Sequence, residues 1–235
     1  LNAIIGFSEV LKSELLGEHK VPQYQEYAGD IHASGQHLRN LINELLDLSR
    51  IEAGKYELNE EAVSLVEVAE DCRRMIEIRA KAKGLELSFS TGNPLPKIWG
   101  DARDIRQVVL NLLSNAIKFT PQAGKVALTV TRSVDGGQMI SVRDNGPGIP
   151  EDEIETVLSS FGQGSLAQKT AEQGAGLGLP IVQKIMELHQ GRFDLFSKLR
   201  FGTEVIANFP RARVMDALAP VVEKRSRLEI YSEGR

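Results

Sequence analysis

The chain has 235 residues, 42% of them apolar, and its 28 basic and 32 acidic side chains leave a formal charge of −4. That length fits one or two domains with an ample core, and with no basic cluster a nucleic-acid surface is not expected. The single cysteine, Cys72, excludes an intramolecular disulfide and a CxxC metal knuckle, while no run approaches the roughly 18 to 20 apolar residues of a spanning helix.

Leu1, Ile4, Ile5, Leu11 and Leu15 follow one helical face. The chain starts at this face without an initiator methionine, which reads as a piece cut from a longer protein. "GEHKVPQ" (17–23) is a short connection. Beyond it Ile31, Ser34, Leu38, Leu41, Leu45 and Leu48 alternate steps of three and four, a heptad seam. Ile42 and Leu46 widen this seam toward the broader face of a four-helix bundle. The two segments form a helical hairpin over residues 1–56, with Gly54 in "EAGK" (52–55) as its C-cap. Two helices alone bury little, so the hairpin is expected to pair with a second copy as a homodimer; packing on its own chain's second domain is the alternative.

Past residue 57 helix and strand signals interleave. "VSLVEVAEDCRRMIEIRAKAKG" (63–84) has helical spacing, and "LELSFST" (85–91) alternates like a half-buried strand. "DARDIRQVVLNLLSNAIKFT" (101–120) is a helix with Asp101 as N-cap. "KVALTVTRS" and "QMISVRD" flank "VDGG", a hairpin signal. "PIVQKIMELHQ" is helical, and "RFDLFSK" and "TEVIANF" are strands. The fold class is α+β: a helical hairpin, then over 57–212 an α/β sandwich with helices on one face of a sheet. The tail, 213–235, begins with the helix-like "VMDALAPVV" and carries no assigned chemistry.

On the 101–120 helix, Asn111, Asn115 and Lys118 are spaced by four and three and share a face. Two amide oxygens and an ammonium suit Mg²⁺ and phosphates, because Mg²⁺ takes oxygen ligands and keeps several waters; the alternative is a merely solvated face. "DNGPGI" (144–149) leaves a strand at Asp144 and turns on Gly146 and Gly148, where the backbone can approach a flat ligand. The carboxylate can accept from an exocyclic amine such as that of adenine. "GAGLGL" (174–179) runs into a helix whose first N–H groups form an anion site. Between these turns "SSFGQGSLAQKTAEQ" (159–173) has little to bury and is expected to act as a lid. Neither glycine run is a Walker A loop.

With these pieces in order, the chain resembles the core of sensor histidine kinases, whose HATPase_c, or Bergerat, ATP-binding domain belongs to the GHKL superfamily shared with DNA gyrase, MutL and a chaperone ATPase. "NLLSNAIKFT" resembles the N box, "DNGPGI" the G1 box, "SSFGQ" the F box, "GAGLGL" the G2 box and "FGTEV" (201–205) the last, G3-like element. "LNAIIGFSEVL" and "HLRNLINELLDLSRIEAGK" resemble the two helices of the dimerisation and phosphoacceptor domain. "GAGLGLPIV", "RFGTEV" and "FPRARVMDALAP" resemble the subgroup of cell-cycle kinases that includes PleC and DivJ.

The resemblance implies Mg-ATP as substrate and phosphotransfer to a histidine just upstream of Leu1, then to an aspartate on a response regulator. It implies a cytoplasmic core whose parent can be membrane-anchored. Asn115, with Asn111, would hold Mg²⁺, Lys118 would contact phosphate, and Phe119 would pack beside the nucleotide. Asp144 would take the adenine amine, with Gly146, Gly148, Ile149 and Thr203 shaping that end. Gly174, Gly176, Leu177, Gly178 and Leu179 would close over the phosphates and present amides. His19, His32, His37 and His189 lie outside the family's acceptor motif, so no catalytic residue is assigned within the chain. Hydrolysing relatives carry Glu at position 111; an amide cannot act as a general base, which disfavours hydrolysis. A second reading is a pseudokinase or regulatory dimerisation module that uses nucleotide only as a conformational switch. One departure stands out: Leu199, Arg200 and Phe201 occupy the place where many relatives have a second glycine.

Overall fold

The structure is a computed structural model that describes residues 1–92, 94–165 and 175–215. Helix α1 (Asn2–Lys12) packs along α2 (Gln23–Glu52). It ends before Leu15, which the apolar spacing had placed on its face. Glu14 takes a left-handed φ of 52°, and the Leu15 amide bonds back to the Val10 carbonyl at 3.2 Å. This is the bonding of a Schellman cap with glutamate in the usual glycine position, so the composition gave no stop signal there. At the far end of α2 the glycine signal holds: Gly54 has φ +65°, and Lys55 N–H bonds to Arg50 O at 3.0 Å.

The face of α2 that meets α1 buries Ala28, His32 and Gly35. The heptad seam lies elsewhere. Ile31, Leu38, Ile42, Leu45 and Leu46 remain about half exposed, whereas Leu48 is buried at the junction with the α/β body. The first helix thus covers one side of α2 and leaves its apolar stripe open. Part of α2 also packs against the α/β body.

The body is a five-stranded sheet with helices on one face. Its strands are β2 (Glu86–Thr91), β4 (Lys125–Arg132), β5 (Gln138–Asp144), β6 (Arg192–Lys198) and β7 (Gly202–Phe209), in the order β2-β4-β5-β7-β6. Only the β2–β4 pair is parallel. Helices α3 (Leu65–Ala82), α4 (Ala102–Phe119) and α6 (Gly178–Leu188) cover it, and the short α5 (Ile154–Leu158) lies beside α6. Alternation decides which side is covered: Val126, Leu128 and Val130, with Ile140, Val142, Val205, Ala207 and Phe209, point inward and are buried. They meet Ile105, Val109, Leu113 and Ile117 of α4 and Ile181 and Ile185 of α6. Truncating such a leucine costs about 2–5 kcal/mol, so α4 is held firmly to the sheet.

Two short strands, β1 (Glu61–Val63) and β3 (Ile98–Gly100), form an antiparallel ribbon that the sequence did not announce, because three residues are too few to show alternation. Val63, read as the start of a helix, belongs to β1. Helix α3 begins after Ser64, whose Oγ accepts from the Glu67 amide at 3.3 Å. Asp101 caps α4 as its sequence implies, its carboxylate accepting from Arg103 N–H at 2.9 Å and Asp104 N–H at 3.2 Å.

The beginning of the segment read as a tail is fastened to the body. Arg213 donates to His189 O and Glu60 Oε1, both at 2.5 Å, and to Trp99 O at 2.9 Å; Val214 bridges Ile98. The rest of "VMDALAPVV" lies outside the described residues. His189 is fixed by its partners: Nδ1 lies 2.8 Å from the Ile185 carbonyl, and Nε2 lies 3.1 Å from the Asp101 amide and must accept from it. A carbonyl can only accept, so the proton is on Nδ1. Burial lowers the pKa and keeps this imidazole neutral.

Candidate functional site

The helical face of α4 and the two glycine turns open on one cavity of about 490 Å³, within the size range of ligand pockets. Asn111, Asn115, Lys118 and Phe119 line it from α4, and Asp144 and Thr203 from the adjacent ends of β5 and β7. Gly148 and Ile149 line it from the loop after β5; Gly176, Leu177, Gly178 and Leu179 line it from the start of α6. Gly146 is buried and is not among the residues that line the cavity, and Gly174 lies outside the described residues, as does most of the expected lid.

Asp144 terminates β5 opposite Thr203 of β7. The Gly146 amide donates to its Oδ1 at 2.8 Å, so the turn residue orients the carboxylate. Burial raises the Asp144 pKa, while the Gly146 and Thr203 amides pull it down. Around it the cavity is apolar: Val142, Leu195 and Val205 form a floor from three adjacent strands, joined by Leu112 of α4. One acceptor set in such a floor suits a flat heteroaromatic ring with an amine on its edge. Sequence reasoning missed this floor, although each strand residue is an inward position of a recognised strand.

At the other end Asn111 Nδ2 donates to the Gly178 carbonyl at 3.3 Å. A Cβ added at Gly178 would stand 3.8 Å from both Asn111 Cγ and Asn115 Nδ2, so the two amides converge where α6 begins. That helix has no side-chain cap, leaving its first-turn N–H groups to face the cavity. Lys118 Nζ lies 5.0 Å from the Phe119 ring centroid. Among the described residues no group of three or more His, Cys, Asp or Glu side chains could hold a metal. Asn111 and Asn115 offer neutral amide oxygens, which fit a hard cation shared with phosphates rather than one caged by protein.

Two glycines at the cavity's edge have no substitute. Gly148 has φ +71° and a Cβ there would meet the Lys198 carbonyl oxygen at 2.1 Å; Gly202 has φ +110° and a Cβ would meet the Asp144 carbonyl oxygen at 2.0 Å. Gly202 was not singled out in the sequence, though it starts the strand that pairs with Asp144. Ser197 was missed as well: its Oγ accepts from the Ile149 amide at 2.8 Å and lies 2.8 Å from Thr203 Oγ1, tying the G1-like turn to the β6–β7 hairpin. Where the expected second glycine is lacking, Arg200 adopts φ +67° and its amide bonds to Pro147 O at 2.6 Å. An arginine thus carries the left-handed conformation of this turn.

One wall was not foreseen. His37, Asn40, Leu41 and Glu44 of α2 also line the cavity. Leu41 belongs to the heptad seam and the other three flank it, and their spacing of three and four is visible in the sequence once α2 is known to face this way.

Residues 100–213 match the family model described as histidine kinase-, DNA gyrase B- and HSP90-like ATPase, and residues 1–54 match that of the His kinase A (phospho-acceptor) domain. The chain belongs to the histidine kinase family. A cell-division control histidine kinase of Brucella anthropi, PdhS, is 38% identical over 92% of this kinase core. The non-motile and phage-resistance protein of Caulobacter vibrioides is 43% identical over 89% of it. The core spans only 21% and 25% of those two relatives' lengths. Among solved structures, full-length ShkA in complex with AMPPNP aligns with a TM-score of 0.74 at 30% identity, over 89% of this chain and 42% of that one. The catalytic domain of histidine kinase ThkA aligns with a TM-score of 0.56 at 28% identity, over 66% of this chain and 99% of that one. No helix among the described residues is long and apolar enough to cross a membrane.

Proposed function

We propose that residues 57–212 bind Mg-ATP in the cavity between α4, the G1-like turn and the start of α6, and that residues 1–56 form the dimerisation and phosphoacceptor hairpin. The observation that carries this reading is the convergence on one cavity of the Asp144 carboxylate over an apolar floor and the Asn111–Asn115 amides at an uncapped helix start. Asp144 accepts from the adenine amine, and Val142, Leu195 and Val205 hold the ring. Lys118 and the amides at Gly176 and Gly178 meet the phosphates. Asn115 and Asn111 would hold Mg²⁺, which would offset phosphate charge.

The nucleophile is an imidazole nitrogen of the acceptor motif that the resemblance sets upstream of Leu1. It attacks the γ-phosphorus in line, a P–N bond forms, the bond to the bridging oxygen breaks, and ADP leaves. Asn111 has no basic group to take a proton from water, which spares the γ-phosphoryl for this transfer. None of the chain's own histidines is assigned that role; His32, for example, is buried with Nδ1 3.2 Å from the Ile5 carbonyl. The open seam of α2 joins a second copy, and phosphate passes to an aspartate of a response regulator. The bound AMPPNP of ShkA supports the reading, since that ligand mimics ATP.

The test is labelling. A chain extended upstream to include the acceptor histidine, incubated with γ-labelled ATP and Mg²⁺, becomes labelled in an acid-labile, base-stable form. An extended chain that binds ATP and never takes label refutes the kinase reading in favour of a nucleotide switch.

A further inference from the structure

The nucleotide cavity is closed on one side by the hairpin rather than by the ATPase fold. His37, Asn40, Leu41 and Glu44 lie at successive spacings of three, one and three along α2, one stripe of the helix, and all four border the cavity. Leu41 belongs to the heptad seam; the other three are polar and have no place in a bundle core. Helix α2 also packs against α6, the helix whose uncapped N-terminus opens on the cavity. Within this stripe Glu44 is partly buried. Desolvation raises its pKa, His37 lowers it and Asp47 raises it further. Among the described residues, Arg79, Lys118, Asp144 and Glu153 are the charged groups that the body contributes to the same cavity. A carboxylate placed where a polyanion is to bind costs free energy, because the effective dielectric is low and burial removes screening.

Resting on the nucleotide-binding reading above, we infer that α2 is a wall of the nucleotide site and that Glu44 is a charge discriminator in it. With the hairpin seated, its carboxylate opposes the triphosphate more strongly than the diphosphate. Because coupling between two equilibria is reciprocal, ATP then disfavours the seated hairpin more than ADP does. The product-bound core rests closed against α2, and the substrate-bound core is pushed toward release, as a phosphotransfer domain must be before it reaches its acceptor. Asn40, on the same stripe, is a neutral position where an added carboxylate should act in the same sense as Glu44.

The experiment is isothermal titration of the 235-residue chain with Mg-ATP and with Mg-ADP at pH 8, for the parent, Glu44→Gln and Asn40→Asp, each checked for folding by circular dichroism. The quantity read is the ratio of the ATP to the ADP dissociation constant. Glu44→Gln should lower this ratio about fivefold and Asn40→Asp should raise it by a similar factor, the low end of measured coupling between sites. A folded variant whose ratio fails to move in its stated direction, while both nucleotides still bind, overturns the inference and leaves the nucleotide site standing. A parent that binds neither nucleotide overturns the functional reading and this inference together.

Discussion

Tyr56 donates its phenolic hydrogen to Asp104 Oδ1 across 2.6 Å, joining the segment that leaves the hairpin to the helix that carries Asn111 and Asn115. Asp104 is fully buried, and its Oδ2 has no hydrogen-bond partner. Burial outweighs the Tyr56 hydrogen bond, and the Asp101 charge adds to it, so the pKa rises from 3.8 to about 6. The same surroundings push the Tyr56 hydroxyl upward.

An acid with a raised native pKa keeps its proton while the unfolded chain has already lost it. The unfolded state then binds fewer protons, and stability falls as pH climbs from about 4 to about 6. Above that range Asp104 is a buried anion with one oxygen unpartnered. Asp104→Asn keeps an acceptor for Tyr56 and removes the charge. Urea unfolding should show the variant gaining about 1–2 kcal/mol on the parent between pH 4.5 and pH 7.5. A constant difference across that range would exclude the buried ionisation.

The β6–β7 turn makes a second prediction. Arg200 has φ +67°, a conformation that costs a non-glycine residue about 1 kcal/mol. Arg200→Gly should raise the melting temperature by a few degrees and leave nucleotide affinity within twofold. Gly202→Ala should do the opposite, since its methyl would lie 2.0 Å from the Asp144 carbonyl oxygen; the expected loss is several kcal/mol together with nucleotide binding.

The strands, the helical faces and the cap at Asp101 were legible in the sequence because each announces itself over several residues. The placement of Asn111, Asn115 and Asp144 on one cavity was legible too, because they sit in glycine-marked or periodic contexts. What stayed hidden was of two kinds. Short elements such as β1 and β3 carry no period, and the Glu14 cap lacks the glycine that usually marks it. The α2 wall depends on how the hairpin meets the body, and a helix pattern states which side is apolar without stating what its polar flank faces.

The open seam of α2 predicts association. Leu38 and Leu45 are each about half exposed in the single chain, and a charge there would be carried into a bundle core at a cost of several kcal/mol. Leu45→Glu should convert a dimer into a monomer by light scattering while the far-ultraviolet spectrum of the α/β body persists. A parent that is monomeric at high concentration would contradict dimerisation through this face.

If Asn115 acts through the cation as proposed, Asn115→Ala should weaken nucleotide binding about tenfold or more in the presence of Mg²⁺ and far less in excess chelator. Equal losses in both conditions would assign Asn115 to direct phosphate contact instead.

The measurement that tests the account most directly is calorimetric titration of the parent and Asp144→Ala with Mg-ATP, both verified as folded. The account predicts saturable one-site binding by the parent and a loss of at least about 100-fold in the variant, because an amine left facing an apolar floor loses its acceptor without replacement. Unchanged affinity in a folded Asp144→Ala chain would contradict it.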